Sequence, residues 1–441
     1  MIFLNVNGNL EPLEIAKRAR AAGLKMSNSS VETRNGIILA IAEELNRSRR
    51  SVIDANDKDL AEAAKEGLAS PSMKRLKLDD SKLNEMIRGL NHIAGLGDPI
   101  NKTLLSVEMD QGLELYKVTC PIGVVAAIFE SRPDALIQIS GLCLKSANAV
   151  ILKGGAEAKR TNLELAELER RVSGKFDFPI DAIQLIESRE DVEKLLKLDE
   201  FVDLLLPRGS SKLVNYVREN SHIPVLGHAE GICHEYVDAS ADLNMAVEIC
   251  YDAKVQHPAV CNAMNTLLVH ESVADSFLPK LSTRFAKSVE LRADERARKW
   301  IPEAKFVTEM DWSTEYLSLV LAIRIVNTPS EAIDHINRYG THHTDGIITD
   351  DSEVARRFLR EVNSAVVLHN ASTRFSDGYR FGFGAEVGIS TGKVHARGPV
   401  GLDGLVTHKY IVAGHGHLVA SYVGKNPRPF THTNLNKTWN I

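Results

Sequence analysis

Pro121-Ile122-Gly123-Val124-Val125-Ala126-Ala127-Ile128-Phe129-Glu130-Ser131-Arg132-Pro133 is the stretch that decides the fold. Val124 to Phe129 is a continuous apolar run, as a strand carries when both faces of its sheet are covered. Glu130 to Arg132 break the run, and Pro133 suits the first turn of a helix. The rhythm returns at Ala149 to Leu152, Ala182 to Ile186 and Val202 to Leu206, each followed by helical sequence. After Gly231 a second series starts. Helices are expected near Leu243 to Ala253 and Val273 to Ser288, with strands at Thr266 to Val269, Val320 to Val326, Gly346 to Thr349 and Ala365 to Leu368. Apolar strands alternating with helices imply parallel sheets, so the fold class is α/β with two doubly wound parallel-sheet domains.

Upstream, the first hundred residues read as helices. Ser29 and Glu32 have capping-box spacing, and Ile37, Ile38, Ile41 and Leu45 follow on one face. A second helix is expected from about Val52 to Ala64. A third carries Leu83, Met86, Ile87, Leu90 and Ile93 and stops at Gly95. Leu113 to Thr119 alternates apolar and polar, as a half-exposed strand does, and could be an edge that pairs with another subunit. The last dozen or so residues, with Pro427 and Pro429, read as a loosely held tail.

A chain of 441 residues normally divides into two or more domains. Lys+Arg 53 against Asp+Glu 58 gives a net charge of -5, which argues against a nucleic-acid partner. The basic cluster Arg47, Arg49 and Arg50 closes a helix, where cations offset the dipole. Five cysteines (Cys120, Cys143, Cys233, Cys250, Cys261) show neither CxxC nor zinc spacing, which suits a reducing compartment. His342, His343, His415 and His417 have no partner at ligand spacing, so no metal is expected. Met1 to Asn7 lacks the form of a signal peptide, and no apolar run approaches the roughly 20 residues of a membrane helix. A cytoplasmic protein with no membrane partner is expected.

Cys261 follows a Pro-containing bend and precedes a short strand. A thiolate there could attack a carbonyl while turn N–H groups hold the oxyanion; alternatively it is a small buried hydrophobe. Two turns after strands, Lys153-Gly154-Gly155 and Arg208-Gly209-Ser210, put cations and a helix start where phosphates could bind. Read alone, they are equally ordinary tight turns with a Ser cap. Arg380 to Pro399 is a glycine-rich loop of the kind that binds ligands. Arg374, Arg380 and Arg397 could grip a phosphate or carboxylate bidentately, or be solvated surface charges.

Together these stretches resemble the aldehyde dehydrogenase superfamily, most closely its branch that reduces L-glutamyl 5-phosphate. The resemblance runs from about Pro12 to about Gly414. It is carried by Pro121 to Pro133, Leu152 to Gly155, Pro207 to Ser210, Gly227 to His234, Pro258 to Ala263, Asn370 to Asp377, Gly384 to Thr391 and His395 to Pro399. It implies Cys261 as nucleophile and Ser131 at the place of the superfamily's oxyanion-hole asparagine. Lys153, Arg208, Gly209, Ser210 and Glu315 fall to the cofactor, NADPH, although the Phe-Gly-Pro usual after that glutamate is absent. Arg374 and Arg397 are candidates for substrate. Val225 stands where oxidising relatives carry the glutamate that activates water, and a valine cannot take a proton. That departure suits a reductase.

The implied division is a cofactor domain (1–100 and 120–240, returning at about 373–404), a catalytic domain (241–372) and an oligomerisation hairpin with tail (101–119 and 405–441). A homo-oligomer is implied, as is a functional association with glutamate 5-kinase, whose fused form is not expected here. The rival readings are a semialdehyde-oxidising dehydrogenase using Glu230 as base and a non-catalytic nucleotide-binding oligomer.

Overall fold

The computed structural model describes residues 10–439; Met1 to Asn7, read above for a leader, lie outside them. The chain forms two compact units. The first comprises residues up to 226, 384–387 and from 400 on; the second comprises 227–383 and 388–399.

The first unit opens with five helices: α1 (Pro12–Met26), α2 (Val31–Arg47), α3 (Arg49–Lys65), α4 (Ser70–Leu76) and α5 (Asp80–Gly95). The apolar stripe of α2, Ile37, Ile38, Ile41 and Leu45, is fully buried. Its cap falls one residue later than the sequence suggests. Ser30 accepts the Thr33 N–H at 3.2 Å, while Ser29 Oγ donates to the Met26 carbonyl at 2.6 Å and so closes α1 instead. The layer also buries two cations with their partners. Arg34 donates to Asp98 (2.8 Å) and to the Lys145 carbonyl; Lys145 Nζ donates to Asn35 (2.7 Å) and the Ala94 carbonyl (2.9 Å). Each would be costly there unpaired.

A hairpin follows, β1 (Thr103–Asp110) and β2 (Leu113–Pro121), and then the α/β part: β3 (Val124–Phe129), α6 (Pro133–Lys145), β4 (Ala149–Lys153), α7 (Lys159–Ser173), β5 (Ile183–Leu185), α8 (Arg189–Leu195), β6 (Leu204–Arg208) and α9 (Ser211–Asn220). The strands pair in parallel in the order β5-β4-β3-β6. Every residue of β3 is buried, as its unbroken apolar run requires.

The second unit contains β7 (Cys233–Val237), α10 (Leu243–Val255), β8 (Met264–His270), α11 (Glu271–Phe285), β9 (Glu290–Ala293), β10 (Lys305–Phe306), β11 (Val320–Val326), α12 (Pro329–Tyr339), β12 (Thr344–Ile348), α13 (Ser352–Glu361) and β13 (Val366–His369). Its seven strands are all parallel, in the order β10-β9-β11-β8-β7-β12-β13. Because β7 lies inside this sheet, the boundary falls at Gly227 rather than at about 240. The return to the first unit is also narrower than 373–404: only 384–387 and the chain from Val400 rejoin it. The short strands β14 (Gly388–Ser390) and β15 (Gly398–Val400) lie in that stretch.

The C-terminal part, β16 (Val406–Ala413) and β17 (Thr433–Asn434), completes the hairpin into a sheet of order β16-β2-β1-β17. This corrects two expectations. Leu113 to Thr119 is not an edge, because β16 pairs along it from Val406 opposite Pro121 to Ala413 opposite Glu114. The tail is also tied down. Beyond β17 the Trp439 N–H donates to Thr103 Oγ1 at 2.8 Å, and its ring packs on Tyr116 with centroids 5.1 Å apart.

Candidate active site

In the second unit β7, β8 and β12 start level with one another: Cys233 pairs with Met264, and His234 pairs with Asp345. The residues just before these strands therefore collect at the amino edge of the sheet. Cys261 lies in a turn closed by the Ala263 N–H and the Val260 carbonyl at 3.0 Å. That bond leaves the N–H groups of Cys261 and Asn262 outside the turn's own closure. Gly231 backs the turn so closely that a Cβ there would run into the Cys261 carbonyl. Asn265 fixes the surroundings, its Nδ2 donating to the Gly231 carbonyl (2.9 Å) and its Oδ1 accepting from the Tyr316 N–H (3.1 Å).

Cys261 is half-buried, whereas Cys143, Cys233 and Cys250 are sealed in the core, where burial pushes their thiols up. Cys120, also half-buried, lies on β2 and is raised by desolvation too. Cys233 Sγ donates to the Cys261 carbonyl at 3.1 Å. His228 and His343 pack edge to face with centroids 4.7 Å apart, and one ring nitrogen of each lies with Cys261 Sγ within 4.8 Å. His343 is held neutral by burial first and by His228 second.

Arg374 arrives on a segment that crosses the sheet from β13 back to this edge. The Asn370 N–H donates to the Ile347 carbonyl (2.9 Å), the Thr373 N–H to Glu235 (3.0 Å), and Asn262 Nδ2 to the Ser376 carbonyl (2.7 Å). Arg374 is buried and donates to Gln256 at 2.9 Å. Burial and then Arg380 lower its pKa, against the attraction of Asp377 and Cys261, so guanidinium and thiol are in electrostatic reach. Arg397 donates to the Asn363 carbonyl at 2.9 Å, and its Nε is buried with no partner among the described residues. Glu315 accepts the Gly231 N–H at 3.1 Å; burial, then neighbouring Glu230, raises its carboxyl.

The first unit gathers its candidates at the carboxyl edge of its sheet. Lys153 ends β4 and Arg208 ends β6, opposite Ile128 and Phe129 of β3. Arg208 donates weakly to Gln138 and the Glu386 carbonyl, both at 3.4 Å. Burial lowers the Lys153 pKa, and Glu157 opposes this. Ser210 caps α9 by accepting the Leu213 N–H at 3.4 Å, and its own N–H donates to Glu130 at 2.7 Å. A Cβ on Gly209 would strike that carboxylate. The α9 start thus already takes an anion, and with Lys153 and Arg208 it fits the phosphates of a dinucleotide. Ser131 follows β3 with φ 45, its N–H (2.7 Å) and hydroxyl (2.6 Å) both directed to Glu157.

Residues 11–299, more than half of the chain, match the aldehyde dehydrogenase family. The γ-glutamyl phosphate reductase of Pelotomaculum thermopropionicum is 53% identical over 429 residues, 97% of this chain and 98% of that protein. The chain belongs to the γ-glutamyl phosphate reductases of the aldehyde dehydrogenase family. The reductase of Natronomonas pharaonis is likewise 53% identical, over 96% of this chain and 97% of its own. The crystal structure of the Thermotoga maritima reductase, 40% identical, superposes with a TM-score of 0.91 over 92% of this chain and 99% of that one. The fold also extends to a glyceraldehyde-3-phosphate dehydrogenase from Methanocaldococcus jannaschii complexed with NADP, 18% identical with a TM-score of 0.65 over 92% of this chain and 94% of that one. Members of this reductase family are oxidoreductases, and a nicotinamide dinucleotide is the hydride carrier their family implies.

Sequence reading missed His228, His343 and Cys233 as neighbours of Cys261. The spacing of 33 residues from His228 to Cys261 carries no motif. Only the strand order β8-β7-β12 brings the three segments together.

Proposed function

We propose that this chain reduces L-glutamyl 5-phosphate to L-glutamate 5-semialdehyde with NADPH, releasing phosphate, in proline biosynthesis. The observation that carries the reading is the Cys261 turn: a half-buried thiol backed by Gly231, with the buried Arg374 in charge range. Cys261 thiolate attacks the γ-carbonyl, and the N–H groups of Cys261 and Asn262 hold the oxyanion. Ser131 holds the family's oxyanion-hole position, but its N–H and hydroxyl are both spent on Glu157, so the task falls to the Cys261 turn. Phosphate is a good leaving group, so collapse to the Cys261 thioester needs no strong general acid. NADPH, when bound, supplies the hydride that reduces this thioester. The resulting thiohemiacetal oxyanion then expels Cys261 as thiolate and frees the aldehyde.

Arg374 and Arg397 are assigned to the substrate's phosphate and α-carboxylate, for which their fork geometry suits them. Lys153, Arg208, Gly209 and Ser210 take the dinucleotide's phosphates, with Lys153 favouring the additional 2′-phosphate of NADPH. Glu315 is assigned to the nicotinamide ribose. Val225 at the position of a water-activating glutamate lets the thioester last until hydride arrives. The setting is cytoplasmic, in keeping with a sparse, scattered set of cysteines. A homo-oligomer is expected through the outer edge of the C-terminal sheet, where Tyr410 and Val412 on β16 are exposed. A kinase making the labile acyl phosphate is the functional partner.

The test is a steady-state assay of NADPH oxidation with freshly generated glutamyl phosphate, run beside the reverse reaction. Reduction of NADP+ by the semialdehyde should require inorganic phosphate. Phosphate-independent NADP+ reduction, with glutamate as product, would replace this reading by the semialdehyde-oxidising one.

A further inference from the structure

Around Cys261 the second unit brings together three groups with the character of metal ligands. Cys261 Sγ and one ring nitrogen each of His228 and His343 all lie within 4.8 Å of one another. Ligand atoms on a tetrahedral zinc stand roughly 3.3–3.6 Å apart, given Zn–S of about 2.3 Å and Zn–N of about 2.0–2.1 Å. Side-chain shifts of about 1 Å would close the set. Thiolate and imidazole are the donors that soft and borderline cations prefer over magnesium or calcium.

Both imidazoles carry the outer hydrogen bond that a ligand histidine needs. His228 Nδ1–H donates to the Ile389 carbonyl at 2.9 Å, which leaves the lone pair on Nε2. Thr344 Oγ1 spends its hydrogen on Ser376 Oγ at 2.8 Å, so it accepts from His343 Nδ1–H, also at 2.8 Å. This fixes the His343 lone pair on Nε2 as well. A backbone carbonyl or a hydroxyl on the far nitrogen is the outer support that metal-binding histidines usually have. His343 Nε2 is moreover fully buried and has no hydrogen-bond partner among the described residues, and such a lone pair is costly unless something arrives to use it.

The geometry points to a reversible inhibitory site for a zinc-like divalent cation, held by Cys261, His228 and His343 with a fourth position open to water. Binding replaces the Cys261 S–H bond by a metal–sulfur bond and releases the proton to solvent, with no change of oxidation state. The cation then occupies the sulfur lone pairs that attack would use. That inhibition rests on Cys261 being the nucleophile, whereas binding itself does not.

The full chain, freed of metal and without substrate or cofactor, is titrated with Cd2+ and followed by thiolate-to-cadmium charge-transfer absorption; Zn2+ is then added as competitor. One equivalent of Cd2+ should produce the band, and Cys261→Ser should abolish it. His343→Asn and His228→Asn should each weaken Cd2+ by roughly 10- to 100-fold. Should His343→Asn fail to fold, as judged by circular dichroism, the half-exposed His228→Asn decides. Unchanged affinity in the histidine variants, or a band surviving Cys261→Ser, overturns the site. Zn2+ bound at this stoichiometry without loss of turnover overturns the inhibition. An enzyme that lacks glutamyl phosphate reductase activity but shows the band keeps the site, so the two readings fail separately.

Discussion

The two units solve the problem of handling anions at opposite ends of a parallel sheet. The first uses the carboxyl edge, where crossover helices begin and the α9 N-terminus offers N–H groups and a positive dipole end. Lys153, Arg208 and Ser210 need only add charge and a cap there. The second places Cys261 at the amino edge, where helices such as α10 end and the dipole disfavours negative charge. A thiolate at that edge depends on other help: turn N–H groups and the buried Arg374. One edge suits a phosphate by its backbone alone; the other favours an anion only where specific side chains are supplied.

Substitutions at the two edges should therefore separate cleanly. The largest effect belongs to Cys261→Ala, which should lower turnover by at least about 10,000-fold while NADPH titration shows unchanged binding. An active Cys261→Ala enzyme would remove the second unit's edge from the chemistry. Next, Gly231→Ala should push the Cys261 carbonyl aside and cost about 100-fold in kcat through misplacement of the nucleophile. Overpacking should also lower stability by about 1–3 kcal/mol, measurable in a denaturant titration.

Arg374→Met should reduce kcat/KM by about 30-fold or more, and iodoacetamide should label Cys261 more slowly at neutral pH. If labelling is unaffected, Arg374 serves substrate alone and the amino edge needs no fixed cation. Lys153→Met should raise the KM for NADPH by about 10-fold, with less effect on NADH and none on thiol labelling. A change in labelling there would mean that the two edges are not independent.

Glu169 supplies the smallest effect on activity, none, since it lies in the helical layer at neither edge. Burial pushes its carboxyl up to about 8, beside Ser140. Between about pH 4.5 and about pH 8 the unfolded chain releases that proton while the folded chain keeps it, so stability falls as pH rises. Glu169→Gln should flatten this part of the pH profile in thermal melts while leaving turnover alone.

Much of this was legible from sequence because it is local. The apolar run Val124 to Phe129 demanded a covered strand, and Val320 to Val326 lies where its pattern put it. Ser29 misled because a single hydroxyl can serve the helix before or the helix after, and only the chain path chooses. Leu113 to Thr119 misled because alternation reports one wet face and not whether a neighbour pairs alongside; β16 comes from almost 300 residues away.

By itself the sequence determined the α/β class, the alternation of strands and helices, the family pattern and Cys261 as the nucleophile candidate, all carried by contiguous residues. Tertiary structure alone decided that His228 and His343 stand beside that thiol, that Arg374 is buried within its electrostatic reach, and that the C-terminal tail is pinned to the hairpin. Those facts depend on strand order and register. Backbone pairing and burial between distant segments set these, and no local spacing encodes them.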